Sequence, residues 1–142
     1  MSRRLEVALA EAASPLWTQR VRAGRDLAPH ADVPEAAEVL LGLLLDVEDT
    51  AVTRQTAATL ARAGTAAAVR LIALALAQAD DNHADWLHTG VHDALLGSDR
   101  VRDAVAAACG ELARDQDEAV RRGTAEISAW TEDTKGDKPG IR

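Results

Sequence analysis

At 142 residues and 15.0 kDa the chain fits one domain and is long enough to bury a true core. It is 47% hydrophobic, yet it has no Phe or Tyr and only three Trp, so its apolar mass is Ala, Leu and Val. Those side chains suit close helix packing and are too small for a wide sandwich interior. Net charge is −7, with residues 1–30 at +2, 31–64 at −4, 65–97 at −3 and 98–130 at −2. An acidic middle repels phosphate backbones, which sets nucleic acid aside as a partner and favours a basic protein surface.

Read in chain order, the punctuation predicts about eight short helices. The first runs from near Arg4 to Ala13. Ser14-Pro15 offers an N-cap followed by Pro in the first turn, opening a second helix that reaches about Leu27. Ala28-Pro29-His30 ends it. Asp32 with Pro34 starts a third, whose Val39, Leu40, Leu43 and Leu44 repeat at helical spacing. Asp49 or Thr50 caps a fourth that stops at Gly64, a good left-handed C-terminal residue.

Thr65 caps the fifth helix at once. Its Val69, Leu71, Ile72, Leu74 and Leu76 make it apolar almost all round, which requires neighbours on several sides. Asp80 or Asp81 opens a sixth helix and Gly97 closes it. Ser98 opens a seventh, with a stripe of Val101, Val105, Ala108 and Leu112. Asp117 opens an eighth that is expected to end near Trp130. Residues 131–142 contain Gly136, Pro139 and Gly140 among charges, so a helical domain over 1–130 and a flexible tail over 131–142 are expected.

A beat runs through these elements. Leu27, Leu60, Leu95 and Ile127 are 33, 35 and 32 residues apart, and Asp46, Asp80 and Asp115 are 34 and 35 apart. A period in the 30s marks stacked helical hairpins that cover each other's apolar faces. The second helices carry related strings: Arg20-Val21-Arg22-Ala23-Gly24 before Leu27, Thr53-Arg54-Gln55-Thr56-Ala57 before Leu60, and Val120-Arg121-Arg122-Gly123-Thr124 before Ile127. An Arg near the start of such a helix is placed to reach the Asp-rich turn of an adjacent unit. The third unit, from Trp86 through His88, Thr89, Gly90, His92 and Asp93 to Leu95, has no Arg, so something else must satisfy its turn.

On these features the chain resembles the HEAT-repeat family over residues ~14–130. The resemblance implies an all-α fold, an α-α superhelix of about four hairpins whose second helices line a concave surface. It implies a scaffold that binds another protein and leaves the partner unnamed. The contact set expected on that surface is Arg22, Arg54, Trp86, His88, Thr89, His92, Asp93, Arg121 and Arg122. With the acidic turns aligned on one edge, a small inhibitor or immunity-type protein that blocks a basic partner is the concrete form of this reading.

Asp81, Asp85, His88 and His92 stand at i, i+4, i+7 and i+11 and share one helical face. Carboxylates beside two imidazoles one turn apart make Asp85, His88 and His92 weak candidates for a metal, and a metal-dependent or lyase-type enzyme is the alternative function. Capping and solvated contacts account for the same residues. Trp86 is expected to be partly exposed, either as an anchor for a partner or as a plug between units, whereas Trp17 is expected to be a plug.

No cofactor is expected, for the chain has no phosphate loop, Cys pair or Ser elbow. Cys109 is the only cysteine, so no internal disulfide can form and a reducing compartment is the natural reading. Glu6 and Glu11 interrupt the signal-like start Met1-Ser2-Arg3-Arg4. Arg70 breaks the most apolar segment, which is shorter than the ~20 residues a spanning helix needs. No membrane association and a cytoplasmic location are expected.

Overall fold

The computed structural model describes residues 2–135, and among them it is all-helical, with eight α-helices and no strand. The helices are α1 (Arg3–Glu11), α2 (Trp17–Leu27), α3 (Pro34–Leu44), α4 (Thr50–Ala63), α5 (Ala66–Gln78), α6 (Asp81–Gly97), α7 (Asp99–Leu112) and α8 (Glu118–Lys135), with a short 3-10 turn over Ala28–His30. No described helix is long and apolar enough to cross a membrane.

Most boundaries follow from capping chemistry. Asp49 accepts from the Ala51 amide at 2.8 Å, Thr65 from Ala68 at 3.1 Å, Asp80 from His83 at 2.7 Å and Ser98 from Val101 at 3.3 Å, each supplying an acceptor to an orphaned N–H. Gly64 ends α4 at φ 64°, a left-handed conformation that side chains disfavour.

Two expected caps are displaced. The N-cap of α2 is Leu16, because the Ser14 hydroxyl is spent on Gln19 Oε1 (2.6 Å) and the Leu16 amide (3.1 Å). The N-cap of α3 is Val33 with Pro34 as the first helical residue, so Asp32 caps nothing there. The last helix also outruns its expected end near Trp130, and so the expected boundary between domain and tail falls inside it. Buried Thr131 and Thr134 return their hydroxyls to the Ser128 and Trp130 carbonyls at 2.6 and 3.0 Å, satisfying themselves within the helix. The rest of the expected tail, residues 136–142, lies outside the described residues.

The four periodic anchors Leu27, Leu60, Leu95 and Ile127 are all fully buried in one continuous apolar core. Helix α5 runs through that core, touching α3, α4, α6, α7 and α8, as its all-round apolarity requires. Helices α2, α4 and α6 lie side by side with α4 in the middle. The α4–α6 contact is close because Gly90 faces the Arg54 carbonyl and the Ala57 methyl, leaving no room for a Cβ.

The last hairpin does not repeat this arrangement. A regular row would set α8 beside α6, but its main neighbours are α5 and α7, with a lesser contact to α6. A Cβ on Gly123 of α8 would stand 2.6 Å from the Ala73 carbonyl of α5. The small central residue of the repeated string thus serves close approach in both places, against different helices.

Candidate functional site

The acidic turns are joined to the rest of the fold. Asp46 takes Arg20 in a two-pronged pair, Nε to Oδ1 at 3.0 Å and Nη2 to Oδ2 at 3.1 Å, with Arg20 buried and Asp46 largely so. Its carboxylate also accepts from the Glu48 and Asp49 amides at 3.2 and 2.8 Å, and Arg20 Nη1 donates to the Ser14 carbonyl at 2.9 Å. Asp115 accepts from Arg70 of α5 (Nε, 3.0 Å) and from the Asp117 amide (2.9 Å). The Arg70 hydrogen bond, then the amide, holds its carboxyl below the usual range. Arg121 donates Nη1 to the Asp115 carbonyl at 2.6 Å.

The third turn, which lacks an Arg, is met by His83. Its Nε2 contacts the Asp46 backbone carbonyl at 2.7 Å and its Nδ1 the Asp80 carboxylate at 2.8 Å. Both partners only accept, so the imidazolium, with two N–H donors, satisfies both at once. The contact with Asp46, then that with Asp80, raises the His83 pKa above its ordinary value. Asp46, Asp80 and Asp115 of the expected acidic edge therefore serve as joints, while Glu48, Asp80, Asp81, Asp117 and Glu118 are exposed.

A different arrangement occupies the face of α2, α4 and α6. A groove of about 480 Å3 is lined by Arg25 of α2, by Arg54, Gln55, Thr59 and Arg62 of α4, and by Trp86 and Asp93 of α6, with Ala51 and Ala58 among its apolar lining. This volume lies within the range of ligand-binding clefts. Arg54 Nε donates to Asp93 Oδ2 at 2.8 Å, and its guanidinium lies 5.9 Å from the Trp86 ring centroid, a cation–π contact. The hydrogen bond to Asp93 raises the Arg54 pKa further, so this charge is permanent. Trp86 is half-buried beneath it.

The expected contact set divides. Arg54, Trp86 and Asp93 meet in the groove, and the others do not join them. Arg22 pairs with Glu11 of α1, while Arg121 and Arg122 belong to surfaces beside α7 and α5. The Thr89 hydroxyl donates to the Asp85 carbonyl at 2.9 Å. His88 stacks against Trp130 of α8, centroids 4.6 Å apart, and meets His92 edge-on at 5.6 Å. His92 Nδ1 is buried without a hydrogen-bond partner among the described residues.

No group of three His, Cys, Asp or Glu side chains assembles as a metal cage among the described residues, so Asp85 does not complete one with His88 and His92. His88 instead makes an aromatic joint from α6 to Trp130 of α8, with His92 edge-on to it within α6. Trp17 also departs from expectation: it is 42% exposed and plugs no gap. Burial pushes the Cys109 thiol up to about 11, which removes it as a nucleophile near neutrality.

Arg25, Gln55, Thr59 and Arg62 were not among the expected contacts. Their signal was present in the chain: Ala51, Gln55, Thr59 and Arg62 follow helical spacing along one side of α4. Comparison of the repeats favours the start of each second helix, whereas Arg25 and Arg62 lie in the last turns of α2 and α4. No protein-family model matches this sequence, and no curated protein and no solved structure matches it.

Proposed function

We propose that the chain is a non-catalytic interaction module, a HEAT-like stack whose α2–α4–α6 face is the contact wall for another protein. The observation that carries this reading is the groove itself, where a half-buried Trp lies under an ion-paired Arg and two further arginines share the lining. Trp and Arg are the residues most often responsible for binding energy at protein interfaces. Packed helices hold them in place, so docking orders little that is not already ordered. The closely opposed Gly90 supports the same rigidity.

A small inhibitor or immunity-type role fits this shape. Net charge of −7 and the exposed Glu48, Asp81, Asp85 and Glu118 attract a partner with a basic surface at long range. The test is affinity capture with the wild-type chain and with Trp86→Ala and Arg54→Glu variants. A partner held by the wild type and released by both variants is expected. A partner indifferent to both would remove the wall reading, and retention insensitive to salt would remove the electrostatic one.

A further inference from the structure

Arg25 and Arg62 line the groove with no hydrogen-bond or ion-pair partner among the described residues. Each lies in the last turn of its helix, where a cation suits the negative end of the dipole. That accounts for a charge at each helix end. It does not account for two such charges lining one groove beside Trp86. Arg54 and Asp93 neutralise each other there, so Arg25 and Arg62 leave the groove positive within a chain of net charge −7.

The shape narrows the occupant. The lining follows α4 from Thr50 and Ala51 through Arg54, Gln55, Ala58 and Thr59 to Arg62. At 1.5 Å per residue that is roughly 18 Å of helix. An extended chain covers about 3.3 Å per residue, so the trough accommodates about five residues. A compact anion would meet the two arginines at one end and leave the rest of the trough, with Gln55 and Thr59, unfilled. Gln55 and Thr59 offer donors and acceptors midway, where a peptide backbone needs them.

We infer that the α2–α4–α6 groove takes an extended acidic peptide segment of the partner protein. Carboxylates of that segment face Arg25 and Arg62, and an apolar side chain lies against Trp86. This inference rests on the contact-wall reading above and adds the chemistry of what is seated there. Guanidinium–carboxylate pairing supplies direction, since each Arg presents a planar fork to a carboxylate. The exposed acids around the turns before α4 and α6 sit near the opposite helix ends and discourage the reversed orientation.

The test uses the full chain and a fluorescein-labelled peptide of alternating Glu and Leu, read by fluorescence anisotropy. Saturable binding is expected, weakened about tenfold or more by the double substitution Arg25→Glu and Arg62→Glu and by added salt. Both arginines are exposed, so the helical circular dichroism of the double variant is expected to match the wild type. Equal affinity for the double variant, or a Lys–Leu peptide binding as well as Glu–Leu, overturns the proposal. Inorganic phosphate binding while the peptide does not marks a small-anion site and overturns it too. If the peptide fails yet Trp86→Ala still releases the natural partner, the wall stands and only the acidic segment is lost.

Discussion

Two arginine–aspartate pairs in this molecule look alike in the sequence and do different work. Arg20 and Asp46 are closed in, with side-chain exposures of 7% and 11%, while Arg54 and Asp93 keep 42% and 37%. The first pair fastens α2 to the turn before α4, and its carboxylate also holds two backbone amides. The second stands on a groove wall against a Trp ring. Their separation comes from one residue of offset. Arg20 lies seven positions before its anchor Leu27 and Arg54 six before Leu60, a rotation of about 100° around the helix. Thr53, not an Arg, occupies the position matching Arg20, and it is buried. A repeat supplies the residue type; its angular position decides whether that residue fastens the fold or faces a visitor.

The sharpest way to break this contrast is to truncate both arginines. Arg20→Ala leaves Asp46 among buried surroundings without its partner, and a loss of about 3–5 kcal/mol is expected in urea unfolding. Arg54→Ala is expected to leave the unfolding midpoint essentially unchanged while weakening partner binding, because its pair is open to water. A similar stability loss in both would show that the groove pair is structural.

Gly90→Val tests the contact that sets the groove walls. The added side chain meets the Arg54 carbonyl and Ala57, so α6 must shift, with an expected cost of about 1–3 kcal/mol in thermal or urea unfolding. Partner affinity is expected to fall further than this destabilisation alone accounts for, since Trp86 and Asp93 move with α6. An unaltered groove chemistry in nuclear magnetic resonance spectra of the Trp86 indole would refute that coupling.

His83 gives a smaller, pH-dependent effect at the turn edge. Its folded pKa is raised above the ordinary 6.5, so its contribution is complete below that value and is lost as pH rises through the folded value. Between about pH 5 and about pH 8 the wild-type unfolding midpoint is expected to decline more than that of His83→Gln. Parallel profiles would mean that the imidazolium does not bridge Asp46 and Asp80. The smallest effect concerns Cys109, whose thiol is expected to react with a disulfide reagent slowly in the native protein and rapidly in urea.

Much of the helical framework was legible in the chain because its signals are local. Asp49, Thr65, Asp80 and Ser98 mark helix starts, and Gly64 marks an end, through hydrogen bonds within a few residues. The buried anchors Leu27, Leu60, Leu95 and Ile127 were legible for a different reason, since their period survives any detail of packing. Ser14 misled because its hydroxyl goes to Gln19 and the Leu16 amide, and Asp32 because α3 begins at Pro34 with Val33 as its N-cap. The groove was half legible. Arg54, Trp86 and Asp93 were already in the contact set expected of the second helices, but nothing local sets them beside Arg25 and Arg62.

Amphipathic spacing, capping residues and a recurring Leu or Ile therefore fixed, before any folding, that this chain forms helices and which of their faces are buried. Which helices become neighbours depended on long-range fit. Gly90 admits α4 against α6, Gly123 admits α5 against α8, and the repeated string alone does not distinguish the two. The same holds for charge. An aspartate in a turn reads as surface acidity until packing brings Arg20, His83 or Arg70 to it, because Coulomb attraction and hydrogen bonding act on distance in space and not on separation along the chain.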